Sequence, residues 1–435
     1  MQGNRLWALW LDLLLGFRGA FMPQGCRHFV HWTTGFVLTT ADHTVTQALT
    51  SSQREDDWRA LEKFVEVGHW NQPSLERSLL RALQPDPAHL FHGYVLLTGD
   101  DTKVHRNSPG VWGTCTYHEY SARCPNRATT VRAHNWVVTG LLRPRADHSF
   151  WFLPALARLY FRQTQLPDAP DAEAFQTKDQ LLLEQLRQHA RAAAGPCLAT
   201  FDGGYAHRGL VRGLVVPQTG QPRIDFLTRL RCDACLYERP PAQRPPGRRG
   251  PARKWGAALP KPQAADQWPG AWQGGWAHAY GRRRRLRYKT AVCLWRVAGH
   301  ATPVQVVLAW LEGFRHLFTL ACSALDLSAT AVVEAFAAHY QQENGFRDLK
   351  QQLGWEQGRC WTKAPIERTT QVVLLCQSLV RLLQERVEGE AGEAWWTAPP
   401  WYPRKRRASV QDMLGYFRQN GAEIRGLLSE WLGSG

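Results

Sequence analysis

The chain has 435 residues, 44% hydrophobic and 21% charged, enough for two or three domains or one large core carrying insertions. Lys and Arg number 53 against 37 Asp and Glu, a net charge of +16 at a pI near 9.7, which excludes an acidic solvating chain and favours a polyanionic partner. The best apolar run, Leu6 to Phe17, is broken by Asp12 and too short to span a bilayer, so neither a membrane span nor a signal peptide is expected.

Residues up to about 88 read as helical. Asp56 to Val65 carries apolar residues at helical spacing, and Ser74 is the expected N-cap of a second stripe through Leu75, Leu79, Leu80 and Leu83. Strand-like runs follow at Tyr94–Leu97 and His134–Thr139. Thr177 to Ala194 is a strong helix with Thr177 and Gln180 as a capping box, leading into a third strand, Cys197–Phe201, that ends at Asp202. Alternating strands and helices predict an α/β core. From 229 to 289 the composition turns basic, with 15 Lys or Arg against 3 acidic residues. Arg248, Arg249, Arg253 and Lys254 fall in a Pro- and Gly-rich part expected to be extended, and Trp268, Trp272 and Trp276 precede Arg282, Arg283, Arg284, Arg285 and Arg287. Thr290–Val297 and Val304–Trp310 read as strands of an inserted sheet. Three helices are expected afterwards, from Ser328 to Leu353, Ile366 to Glu388 and Ser409 to Asn420.

The ten cysteines read as reduced thiols of a cytosolic protein. Neither Cys232/Cys235 nor the loose group Cys115, His118 and Cys124 supplies the four ligands of a structural zinc. No phosphate loop, dinucleotide turn or nucleophile elbow is present, which disfavours an ATPase, a dinucleotide enzyme and a serine hydrolase.

Three acidic positions carry the chemistry. Asp100 and Asp101 follow the first strand, Asp202 follows the third, and Glu343 lies in the helix after Ser328. Strand ends share one edge of an α/β sheet, and a helix packed across that edge adds a third carboxylate. Three converging carboxylates repel unless hard cations neutralise them, and two Mg²⁺ ions held this way are suited to in-line displacement at phosphorus. Phe336, His339, Glu343, Phe346 and Lys350 fall on one helical face, where polar groups need partners. The plain alternatives are turn-capping aspartates and a solvated Glu343–Arg347 pair.

Gly99-Asp-Asp-Thr102, His134–Val138, the Phe201-Asp202 strand end and the string from Glu343 to Gly354 together resemble the DDE transposases of IS4-like insertion sequences, especially the IS701-type branch. The resemblance spans about residues 90–385. It implies a ribonuclease-H-like mixed-sheet core with an inserted β-rich domain and a helical N-terminal domain. The expected layout is 1–88 helical, for DNA binding or dimerisation, 89–228 and 316–390 the two parts of the core, 229–315 the basic insertion, and 391–435 a helical tail. It also implies Asp100, Asp202 and Glu343 as the catalytic and metal-holding triad, with Asp101 as the fallback first ligand. Lys350 matches the phosphate-contacting lysine. Phe336 stands where the family has Tyr and His339 where it has Arg; a histidine contacts phosphate less strongly, being only partly charged at neutral pH. Two Mg²⁺ ions (with Mn²⁺ as a substitute), a homodimer on the double-stranded terminal inverted repeats, joining to target DNA by cut-and-paste transfer, and a bacterial, nucleoid-associated cytoplasmic location are further implications.

Independently, an Arg-rich segment with interspersed Trp suits phosphate contact and base stacking. Arg248, Arg249, Arg253, Lys254, Arg282–Arg285 and Arg347 are the expected DNA contacts; the resemblance further implies an aromatic of the inserted sheet that stacks on a flipped base, for which Trp295 is the candidate. Arg404–Arg407 is either another contact or a solvated loop. Two other readings share these features: a catalytically silent DNA-binding protein derived from such an element, and another ribonuclease-H-like nuclease.

Overall fold

A computed structural model describes residues 2–119, 129–163, 174–216, 219–241, 253–389 and 395–434. Five helices open the chain: α1 (Gln2–Leu15), α2 (Pro23–Leu38), α3 (Val45–Ser52), α4 (Trp58–Val67) and α5 (Gln72–Ala82). The apolar run noted in the sequence belongs to α1, where Leu6, Trp7, Trp10, Leu13 and Leu14 are buried against the rest of the molecule. Among the described residues no helix is long and apolar enough to cross a membrane. The cap of α5 is Asn71 and not Ser74: the Ser74 amide donates to the Asn71 side chain at 3.1 Å, satisfying one of the free amides of the first turn.

The sheet begins with β1 (Val95–His105), β2 (Cys115–His118), β3 (Thr130–Pro144) and β4 (Phe150–Tyr160). Then come α6 (Lys178–Ala192), β5 (Cys197–Phe201), α7 (Arg208–Val215) and β6 (Ile224–Arg229). The Thr177–Gln180 capping box forms as expected, with both reciprocal hydrogen bonds present. Strand order β4-β3-β1-β5-β6 places two antiparallel pairs beside two parallel ones, the mixed arrangement a ribonuclease-H-like core calls for. β1 is longer than the sequence indicates. Its parallel pairing with β5 stops at Thr98, but antiparallel pairing with β3 continues to His105 and keeps the backbone satisfied.

β7 (Leu236–Tyr237), β8 (Gln273–Ala279), β9 (Arg282–Trp295), β10 (Pro303–Leu311) and β11 (Phe318–Cys322) follow. They do not close a sheet of their own: β11 pairs antiparallel with β6, β10 with β11 and β9 with β10, so one sheet of 11 strands runs through both regions. The arginine run is itself strand, forming the first half of β9. The chain closes with α8 (Ala329–Ala338), α9 (Tyr340–Gln351), α10 (Lys363–Gly389), α11 (Val410–Gln419) and α12 (Gly421–Gly433). α8 and α9, expected as one helix, meet at His339, where i→i+3 bonds (His339 to Phe336 at 3.2 Å, Gln342 to His339 at 2.9 Å) tighten the turn. Gly345 lets α9 lie against β4: a Cβ there would stand 2.2 Å from the Phe152 ring.

Candidate active site

The pairing register fixes where the two aspartates stand. β1 and β5 run parallel with Thr98 opposite Thr200, an offset of 102 (200 − 98), and the same offset sets Asp100 level with Asp202 just past the last paired residues. Side chains alternate along a strand, so Thr98 and Asp100 share one face of β1. That face lies beneath the α8–α9 joint, because the Thr98 hydroxyl sits 2.8 Å from His339 Nδ1 and donates to Gln342 Oε1 at 2.7 Å. Glu343 follows Gln342 directly and lies one turn beyond His339. Strand register and helix placement thus bring Asp100, Asp202 and Glu343 to one edge of the sheet.

Their mutual repulsion is visible in their acidity. Burial first, and then the Asp101, Asp202 and Glu343 carboxylates, push Asp100 up to about 7, against a downward pull from the Asp101 amide that donates to it at 2.7 Å. Burial and Asp202 raise Glu343 as well. Among the described residues no Lys, Arg or His side chain pairs with any of the three. Among the described residues the Asp202 and Glu343 side chains have no hydrogen-bond or ion-pair partner, and Glu343 makes no pair with Arg347. A set of carboxylate oxygens lacking a protein cation is the donor chemistry a hard divalent ion takes. Among the described residues no three Asp, Glu, His or Cys side chains stand close enough to hold an ion. The triad is therefore coupled through its field without meeting at ligand distance, and exposed Glu343 is the arm with room to move.

Asp101, the fallback first ligand, is engaged on the other side of β1. Being one residue on, it points to the opposite face, under α6, where Lys178 Nζ donates to Oδ2 at 2.6 Å and the Tyr205 hydroxyl to Oδ1 at 2.8 Å. That face is tight: a Cβ at Gly99 would stand 2.2 Å from Leu182 Cδ1. Tyr205 belongs to the short turn after Asp202, so Asp101 ties together the backbone segments that carry the other two aspartates.

His339 does not fit the expected phosphate contact. Burial drives its pKa down to about 4, opposed by the Asp202 carboxylate, and the neutral ring is held under the site. Gln342 Nε2 donates to the Val138 carbonyl at 3.1 Å, so its Oε1 accepts from Thr98, and Thr98 in turn accepts from His339 Nδ1–H. Lys350 lies farther along β1, its ammonium donating to the Lys103 carbonyl at 2.6 Å and 3.6 Å from Glu356, while Arg347 is exposed.

Beside Asp202 opens a cavity of about 810 Å³ lined by Arg229, Arg231, Trp272, Trp310 and His316 among others. Trp295, the expected stacking residue, is not exposed there. It is 4% accessible and packs 6.0 Å from the Phe226 ring, a core residue. Two other tryptophans of this region, which no local pattern ranks, are exposed. Trp276 is 46% accessible beneath Arg283 and Arg285, and Trp310 is 40% accessible. Trp310 lies opposite Arg287, whose guanidinium covers Trp272 at 4.7 Å. Arg283, Arg285 and Arg287 alternate on one face of β9 with no carboxylate partner among the described residues, whereas Arg284 turns the other way and donates to the Ala279 and Glu312 carbonyls. Arg282, Arg253 and Lys254 are exposed; Arg248, Arg249 and Cys124 lie outside the described residues. Cys232 and Cys235 are free thiols, Cys235 receiving the Lys261 ammonium at 3.2 Å.

No curated protein sequence matches the chain. A family model, that of the DDE superfamily endonucleases, matches residues 23–302, which takes in both strand aspartates and the arginine strand and stops short of Glu343. With that match covering more than half its length, the chain belongs to the DDE superfamily endonuclease family.

Proposed function

We propose that this endonuclease is a DNA transposase related to those of IS4-like insertion sequences, in the IS701-type branch, cutting the ends of a mobile element and joining them to target DNA. The observation that carries the reading is the level pair Asp100 and Asp202 with Glu343 above them and no cation among the three. Asp100, Asp202 and Glu343 would hold two Mg²⁺ ions, or Mn²⁺ in their place. Such ions, when bound, activate the attacking water or 3′-hydroxyl and stabilise the departing oxygen of the phosphodiester. The chain's own residues do the rest. Arg347, exposed on the same helix as Glu343, is placed to meet phosphate, Lys350 would do so by giving up its bond to the Lys103 carbonyl, and the alternating arginines of β9 with Trp276, Trp272 and Trp310 offer charge and stacking surface leading to the Asp202 cavity. His339, neutral and tied to Thr98, supports the turn from which Glu343 projects. Two copies would act on paired inverted repeats in the nucleoid of a bacterial host.

The test is cleavage of a linear duplex carrying the element's ends in the presence of Mg²⁺. Asp202→Ala and Glu343→Ala should each lower the rate by at least about a thousandfold, the loss of several kcal/mol of transition-state stabilisation. Variants that cut like the wild type sink the assignment.

A further inference from the structure

The segment 395–408, ahead of α11, reads Trp-Trp-Thr-Ala-Pro-Pro-Trp-Tyr-Pro-Arg-Lys-Arg-Arg-Ala: four aromatics and four cations with no acidic residue. The structure sorts these eight into two groups. Trp395, Trp396, Lys405 and Arg407 hold the segment in place. Trp395 packs 5.6 Å from the Tyr416 ring, Lys405 pairs with Asp412 and lies over Trp396 at 5.5 Å, and Arg407 pairs with Asp147 of the β3–β4 turn. Two successive turns, Tyr402 to Pro399 at 2.9 Å and Lys405 to Tyr402 at 3.0 Å, fix the backbone between them.

The second group faces water. Trp401 is 86% and Tyr402 55% accessible, and the exposed Arg404 and Arg406 have no carboxylate partner among the described residues. A segment held by one half of its aromatic and basic residues, while the other half stands unpaired in solvent, is built to present them. Its neighbours indicate to what. Beside Asp147, His148 stacks on His278 of β8 with ring centroids 4.0 Å apart, and His278 lies opposite Arg283 on the arginine face of β9. That face runs on through Trp276 and Trp272 to the cavity at Asp202.

We propose that Trp401, Tyr402, Arg404 and Arg406 form a second contact for duplex DNA, gripping backbone phosphates of the same duplex beyond the stretch held by β9. This rests on the DNA-cleaving function proposed above, but it assigns an interface that neither the triad nor the basic strand requires. Two arginines that neutralise phosphates release counterions, so they steepen the salt dependence of binding, while the exposed aromatics pack against the sugars between those phosphates.

The experiment measures binding of the full chain to a duplex of about 40 base pairs over a range of salt concentrations. Arg404→Ala/Arg406→Ala should weaken binding about tenfold or more at low salt and flatten the log–log salt slope by about 1.8, two phosphates at 0.9 each. Arg283→Ala/Arg285→Ala serves as the control for the β9 face, and melting temperatures should match wild type because all four side chains are solvated. If the Arg404/Arg406 variant binds like wild type while the β9 variant is weakened, the second contact is refuted and the DNA reading stands. Loss of binding to phosphatidylserine vesicles with DNA binding intact also refutes it, in favour of an anionic lipid. If the wild type binds no duplex at any salt, both readings fall.

Discussion

Two neighbouring aspartates take different parts because a strand alternates its faces. Asp100 shares the side of Thr98, under α9, and Asp101 the side of Gly99, under α6. Asp100→Asn should abolish metal-dependent cleavage and leave the fold intact, since its only hydrogen bond among the described residues is from its neighbour's amide. Asp101→Asn should do the reverse in emphasis, costing about 1–3 kcal/mol of stability by leaving the Lys178 ammonium and the Tyr205 hydroxyl poorly matched, as read from denaturant unfolding. Equal losses of activity in the two variants, with equal stability, would contradict the parity argument. The resemblance puts Asp100 first with Asp101 as its fallback, but no local pattern separates the two. A strand read as ending at Leu97 has no defined face at residue 100, and only the antiparallel pairing to His105 supplies one.

Among the elements, β9 shows best what local pattern leaves out of the basic region. Its arginines look like a solvated run, yet Arg283, Arg285 and Arg287 alternate with Leu286 and Tyr288, a period of two that becomes evident only once pairing with β8 and β10 makes the segment a strand. The same pairing buries Trp295 and leaves Trp276 and Trp310 outside, so Trp295→Ala should cost about 3–5 kcal/mol of stability while Trp276→Ala weakens DNA binding with little change in Tm. A Trp276→Ala protein with unaltered affinity would count against the β9 face. A pH dependence belongs to this scale too. Burial lowers His189 of α6, which faces Thr139 of β3 at 3.1 Å, to about 3, and lowers His31 and His134 to about 4. A histidine depressed in the fold adds stability that is complete above its unfolded pKa near 6.5 and is lost as pH falls from there toward the folded value. Melting temperature should therefore drop between pH 6.5 and 4, and less steeply in His189→Gln than in wild type. Identical slopes would show that these rings carry no linkage.

At the level of the whole molecule, alternation of strands and helices is enough to predict an α/β core, and the capping box, β5, α10 and α11 follow from local pattern, while the break between α8 and α9 and the last helix, α12, do not. The continuity of the sheet was not legible. It depends on β6 meeting β11 across some ninety residues of intervening chain, through pairs such as Leu227 with Cys322, and no local periodicity encodes a partner that distant. The same holds for the triad: each carboxylate was visible as a residue type, while the offset that sets Asp100 beside Asp202 belongs to the register. The family match covers those two strands and ends before α9, so the third carboxylate stands on geometry and charge. The central claim is that these three side chains together take up divalent ions, and titrating Mg²⁺ or Mn²⁺ while following Tm tests it without recourse to DNA. Saturating metal should raise the wild-type Tm by a few degrees, about 2.7 kcal/mol at one hundred times Kd, and the rise should vanish in each of Asp100→Asn, Asp202→Ala and Glu343→Ala. A wild-type protein indifferent to either ion, or a rise that persists in all three variants, would contradict it.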